Sequence, residues 1–234
     1  MNLKDKIALV TGGNSGLGKA TAIHLIKNGA TAIITGRDHD KTQNVAEKIG
    51  AIPFKCDVTK DEEIDSLYSF IEKEYGKLDI LINNAGIGKR GELTELTRED
   101  IRAIYEVNVF GATMIAKGAA QLFKKQQHGN IVNIASTASL KGYPTGSAYC
   151  SSKFALRGLT QCWQAELRKD NIRVIQINPS EVPTAFGDQA NREERPLEDN
   201  KLRPEEIAHT IISSLQMDDR GYIPEVTVHA TNPF

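Results

Sequence analysis

The chain has 234 residues, 40% of them hydrophobic and 25% charged, a balance that supports a packed core and argues against a disordered chain. Lys and Arg number 29 against 30 Asp and Glu, for a net charge of -1, which argues against the broad basic footprint of a nucleic-acid or anionic-membrane binder. Three cysteines without CxxC spacing and five histidines without close pairing point to free thiols in a reducing compartment and to no metal site.

The first residues run into a short apolar stretch at 7–10, too brief for a signal peptide or a membrane span, so a cytoplasmic protein is expected. Residues 7–11 read as a strand buried on both faces. A glycine-rich turn and a helix follow, the helix stopping at Asn28-Gly29. A strand is expected at 31–35, a helix at 41–49 closed by Gly50, and a strand at 52–55. Pro53 cannot donate to a ladder, which predicts that this third strand lies at a sheet edge.

Thr59 followed by Glu62 has the capping-box spacing and opens a predicted helix running to Tyr75. A strand at 78–82 comes next, and Thr97 with Asp100 starts a long helix through 125. Then come a strand at 131–135, a helix at 149–169 and a sixth strand at 172–177. Residues 179–203 are polar and aperiodic, before a helix at 204–217 and a last strand at 223–229. Strands alternating with helices imply right-handed crossovers and one doubly wound parallel sheet covered on both faces. No linker or repeat divides residues 1–234, so one domain is expected.

Such a sheet binds ligands beyond the carboxyl ends of its strands. The first strand ends there in Thr11-Gly12-Gly13-Asn14-Ser15-Gly16-Leu17-Gly18, glycines that let a pyrophosphate approach the amides of the next helix. A carboxylate at the end of the second strand would hold the ribose hydroxyl of NAD. The chain instead has Gly36 and Arg37, where a guanidinium suits the extra phosphate of NADP, with Asp38 alongside as a weak counter-argument.

Tyr149 and Lys153 share one helix face, and an ammonium beside a phenol makes it a usable acid/base. A solvated surface pair would show the same spacing. Ser136 and the run Asn83-Asn84-Ala85-Gly86 end strands at the same rim, and Asn108 is a polar residue among Val107, Val109 and Phe110.

Taken in order, these residues resemble the short-chain dehydrogenase/reductases from end to end, including the 3-oxoacyl-[acyl-carrier-protein] reductases. The matching residues are the Thr11–Gly18 turn, Asp57, the 83–86 run, Asn108, Ser136, Tyr149 and Lys153, then Asn178-Pro179 and Thr184. The resemblance implies a Rossmann-type sheet of about seven parallel strands with helices on both faces. It also implies hydride transfer between a nicotinamide cofactor, NADP(H) before NAD(H), and a small carbonyl or secondary alcohol.

Within that resemblance, Tyr149 is the acid/base and Ser136 holds the carbonyl oxygen. Lys153 binds the nicotinamide ribose and lowers the Tyr149 pKa, and Asn108 anchors a relay water. Cofactor contacts fall on Gly12, Asn14, Ser15, Gly16, Leu17, Gly18, Arg37, Asp57, Val58, Asn84, Ala85, Gly86, Pro179, Val182 and Thr184 besides Tyr149 and Lys153. Residues 184–203 resemble a substrate lid, with Phe186 against substrate and Arg192 or Arg195 receiving an anionic tail. The resemblance further implies a homotetramer or homodimer. Small residues on the 101–125 helix and the one from 149 allow the close approach this needs.

The chain departs from the pattern at Ser180, where the family has glycine, in the dense charge of 184–203, and in an ending without the Gly-Gly pair common in the acyl-carrier reductases. Gln127 and Asp170 stand where those reductases tend to carry basic residues, although Lys124, Lys125, Arg168 and Lys169 are near. A dinucleotide sensor or an oligomeric scaffold on the same fold remains the alternative to an enzyme.

Overall fold

The computed structural model describes residues 1–187, 196 and 198–233. Seven parallel strands form one sheet in the order β3-β2-β1-β4-β5-β6-β7: β1 (Ile7–Val10), β2 (Thr31–Gly36), β3 (Ile52–Lys55), β4 (Ile80–Asn83), β5 (Gly129–Ile134), β6 (Ile172–Pro179) and β7 (Glu225–Val228). The Pro53 strand is at the edge, as its missing N–H requires. The helices are α1 (Gly16–Lys27), α2 (His39–Ile49), α3 (Asp61–Tyr75), α4 (Arg98–Tyr105), α5 (Ala112–Gln126), α6 (Ser147–Leu167) and α7 (Pro204–Leu215).

Alternate residues of each central strand serve opposite cores. Ala8, Val10, Ile80, Ile82, Val132 and Ile175 pack with Leu25 of α1 and Ile207 and Ile211 of α7. Leu9, Leu81, Ile131 and Val174 pack with Leu67 and Ile71 of α3 and Ile115 and Phe123 of α5. Burial on both faces explains the continuous apolar runs that betrayed the strands. Strand order reverses around β1, which lies between β2 and β4, and opens a crevice beyond their carboxyl ends.

Two local expectations fail. Thr59 does not cap α3. Its amide and hydroxyl both donate to the Asp57 carboxylate (3.0 and 2.9 Å), and Glu63, not Glu62, reaches back to the Asp57 amide (2.8 Å). A nearby carboxylate, which helix spacing does not reveal, wins the hydroxyl. The capping box of Thr97 and Asp100 does form, but the helix it starts is not continuous. Residues Glu106–Gly111 form a π-helical segment between α4 and α5, with Asn108 inside it. Such segments gather at functional sites.

Buried amides tie the remaining helices to the sheet. Asn83 donates to the Ala112 carbonyl at 2.8 Å and to Asn133 at 3.2 Å, and Asn133 donates to the Thr160 hydroxyl of α6 at 2.8 Å. This chain crosses the sheet and fixes where α6, with its Tyr and Lys, stands relative to β4 and β5. No helix among the described residues is long and apolar enough to cross a membrane.

Candidate active site

A cleft of about 740 Å3 opens over the carboxyl ends of β1, β4, β5 and β6. One end is the glycine turn. Gly12 and Gly16 have φ of +62° and +49°, the left-handed conformation that a side chain would resist. Thr11 joins this turn to the neighbouring strand, its hydroxyl accepting from the amides of Asn84 and Ala85 at 3.0 Å each. Asn84 returns the tie, its side-chain amide donating to the carbonyls of Thr11 (2.9 Å) and Gly12 (3.2 Å). Its amide nitrogen is thus engaged with the turn itself.

The start of α1 fits an anion. Ser15 at its N-cap makes no side-chain cap, and no acidic residue stands in the first turn. The leading amides therefore face the cleft beside a positive dipole end. Asn14, Ser15, Gly16, Leu17, Ala85, Gly86, Pro179, Val182 and Thr184 also line the cleft. Gly18 lies behind the turn, where a Cβ would overlap the Gly12 carbonyl. Arg37, Asp57 and Val58 are not among the cleft's walls, and Arg37 is exposed beyond the end of β2.

At the other end stand Ser136, Tyr149 and Lys153. Ser136 caps a short turn through its hydroxyl, which accepts from the Ala138 amide at 3.1 Å, and it hydrogen-bonds to the Tyr149 phenol. Desolvation pushes that phenol above its usual value, and the Ser136 bond offsets only part of the rise. The phenol is therefore protonated at neutral pH. Lys153 is buried, donates to the Ile134 carbonyl at 2.9 Å, and has its ammonium 5.8 Å from the Tyr149 ring centre. Burial lowers its pKa to about 8. Desolvation is the largest influence on both groups.

Asn108 lies below the pair with both amide hydrogens engaged. Its carbonyl accepts from the Ile87 amide (2.9 Å), and its amino group donates to the Ile87 carbonyl (2.9 Å) and the Ser152 hydroxyl (3.1 Å). The side chain is a strut between the loop after β4 and α6.

Lys89, Arg90 and Tyr143, which no sequence motif singles out, also line the cleft. They occupy loops and belong to no spaced motif. Of the expected lid, Thr184 lies against Gly16 and the Phe186 ring meets Tyr149 edge-on at 5.6 Å. Arg192, Arg195 and residues 188–195 and 197 of the lid lie outside the described residues. No cluster of His, Cys, Asp and Glu suited to a metal occurs among the described residues.

A sequence profile described as short chain dehydrogenase matches residues 6–195. An uncharacterized oxidoreductase of Staphylococcus aureus is 34% identical over 229 residues, covering 97% of each chain. A metagenomic short-chain oxidoreductase in complex with NADP superposes with a TM-score of 0.85 at 27% identity, covering 99% of each chain. The 3-ketoacyl-(acyl-carrier-protein) reductase of Brucella melitensis, complexed with NADH, gives 0.88 at 26% identity over 99% of this chain and 100% of its own.

Proposed function

The chain belongs to the short-chain dehydrogenase family, and from that premise we propose that it interconverts a ketone and a secondary alcohol with NADP(H). The observation that carries the reading is one cleft holding an uncapped, glycine-lined helix N-terminus at one end and Ser136, Tyr149 and Lys153 at the other. The first fits a dinucleotide diphosphate. The bound nicotinamide supplies or accepts the hydride at the carbonyl carbon.

The chain's own residues do the rest. The Ser136 hydroxyl and the Tyr149 phenol converge on the place where a carbonyl oxygen gains charge during reduction, and Tyr149 delivers the proton to it. Lys153, anchored on the Ile134 carbonyl, holds the cofactor ribose and replaces the proton that Tyr149 gives up. The relay to solvent passes a water anchored at Asn108, whose side chain is itself fixed by Ile87 and Ser152. Phe186 and Thr184 close the cleft against water.

NADP(H) is favoured by the end of β2. A Cβ at Gly36 would overlap the Asn14 amide, which donates to the Thr42 hydroxyl at 2.9 Å, so the acidic side chain of an NAD site would have to displace that bond. Arg37 follows at the exposed end of β2, where a guanidinium suits a 2′-phosphate. Arg37→Ala is expected to raise the KM for NADPH about tenfold and leave that for NADH nearly as it was. Wild-type protein equally efficient with both cofactors would refute this. Consumption of NADPH with a panel of ketones, including a 3-oxoacyl thioester, tests the reading as a whole; no turnover of any would leave a sensor or scaffold.

The reading places the protein in the cytoplasm as a homodimer or homotetramer. Phe110 on the π-helical segment and Phe154 on α6 are 53% and 45% exposed, too apolar for a helix face left in water. Sedimentation at micromolar concentration is expected to give a dimer or tetramer mass, falling to the monomer in the double variant Phe110→Asp, Phe154→Asp. A wild-type monomer ends the idea.

A further inference from the structure

We infer that Arg90 is a specificity-determining residue, holding an anionic group carried by the carbonyl substrate at the outer end of the cleft. The inference rests on the carbonyl reading above and adds a charge requirement to it. Four charged side chains line the cleft among the described residues: Lys89, Arg90, Lys153 and Glu181. Lys153 is buried against Ile134. Lys89 is neutralised by Asp100 at 2.6 Å, a bond strong enough to hold that carboxyl at about 2. Glu181 pairs with Lys201 at 3.2 Å.

Arg90 has no carboxylate within ion-pair distance among the described residues. Its guanidinium instead lies 5.7 Å from the Tyr143 ring centre and hydrogen-bonds to the Tyr143 phenol. An aromatic ring orients a guanidinium and leaves its charge whole.

The pair is built in rather than incidental. The Gly91 amide donates to the Thr145 carbonyl at 3.0 Å, clasping the loop of Arg90 to that of Tyr143. Thr145 holds a φ of +65°, a conformation a β-branched residue adopts only under constraint. Gly146 leaves room for the Tyr143 ring, whose edge atoms would come within 2.6 Å of a Cβ there. Tyr143 lies close enough to Tyr149 to disfavour its ionisation, so Arg90 and the proton donor share one chamber. Phe186, in edge contact with Tyr149, forms its apolar wall. The chamber thus suits a substrate with its carbonyl at Ser136 and Tyr149, an apolar middle against Phe186, and a carboxylate or similar anion at Arg90.

The test uses the protein saturated with NADP+, so that ketones bind without turnover. Pyruvate, acetoacetate and levulinate are each titrated calorimetrically against their methyl esters, which sets the spacing of anion and carbonyl. At least one acid is expected to bind about tenfold or more tighter than its ester, the range of a charge-assisted hydrogen bond. That acid-to-ester ratio falls toward one in Arg90→Gln and is partly kept in Arg90→Lys. No acid preferred over its ester, or a preference that survives Arg90→Gln, overturns the assignment. Turnover of the acids and of the esters with NADPH is scored separately: its absence with all of them sinks the carbonyl reading, while the titrations still judge Arg90.

Discussion

Tyr149→Phe is expected to lower ketone reduction by about 10^2- to 10^4-fold, the usual worth of a positioned proton donor. The phenol is kept protonated by its surroundings and hydrogen-bonded to Ser136, so it is in the form a reduction consumes. The substituted ring keeps the edge contact with Phe186, and Lys153 keeps its bond to the Ile134 carbonyl. Folding and NADPH affinity should therefore stay near those of the wild type. Steady-state rates beside a fluorescence titration of NADPH separate the two effects. Retention of more than roughly a tenth of the rate, a barrier change below ~1.4 kcal/mol, would remove Tyr149 from the acid/base role.

Gly18→Ala is expected to weaken NADPH binding by about tenfold or more, with a loss of about 1–3 kcal/mol in stability. A methyl group there meets the Gly12 carbonyl and the Asn84 amide, which lies 2.6 Å from it. One neighbour is backbone and the other is bonded to two turn carbonyls, so neither yields cheaply. The turn must shift, and with it the amides that face the diphosphate. Thermal unfolding and a cofactor titration measure both parts. Wild-type affinity in this variant would mean the turn is not the diphosphate site.

The sheet was legible because its signals are local, whereas the site residues took their roles from the family resemblance. The central strands are apolar runs bounded by turn residues, and the glycine turn, the 83–86 run and Ser136 follow strand ends. Pro53 even fixed an edge position through a missing donor. What stayed hidden depends on contacts distant in sequence. The residues at 97–125 carry one helical period, which does not distinguish a π-helical segment from a plain turn, so the break around Asn108 passed unseen. The Thr59 hydroxyl had two possible partners, and spacing alone favoured the wrong one. Lys89, Arg90 and Tyr143 meet only because two loops are clasped at Gly91 and Thr145. Nor did sequence show that Asn84 and Asn108 spend their amides on main-chain carbonyls 72 and 21 positions away.

That last habit decides how the site can change. Thr11, Asn84, Asn108 and Lys153 all grip main-chain atoms, so they depend on where the backbone runs and little on which side chains surround it. Substitutions around the cleft leave these grips in place, whereas one residue added or removed at 12–17 or 85–88 displaces several at once. For laboratory evolution of new substrates, libraries of point changes at Gly88, Arg90, Tyr143 and Phe186 will retain chemistry that insertion and deletion libraries in those two turns lose.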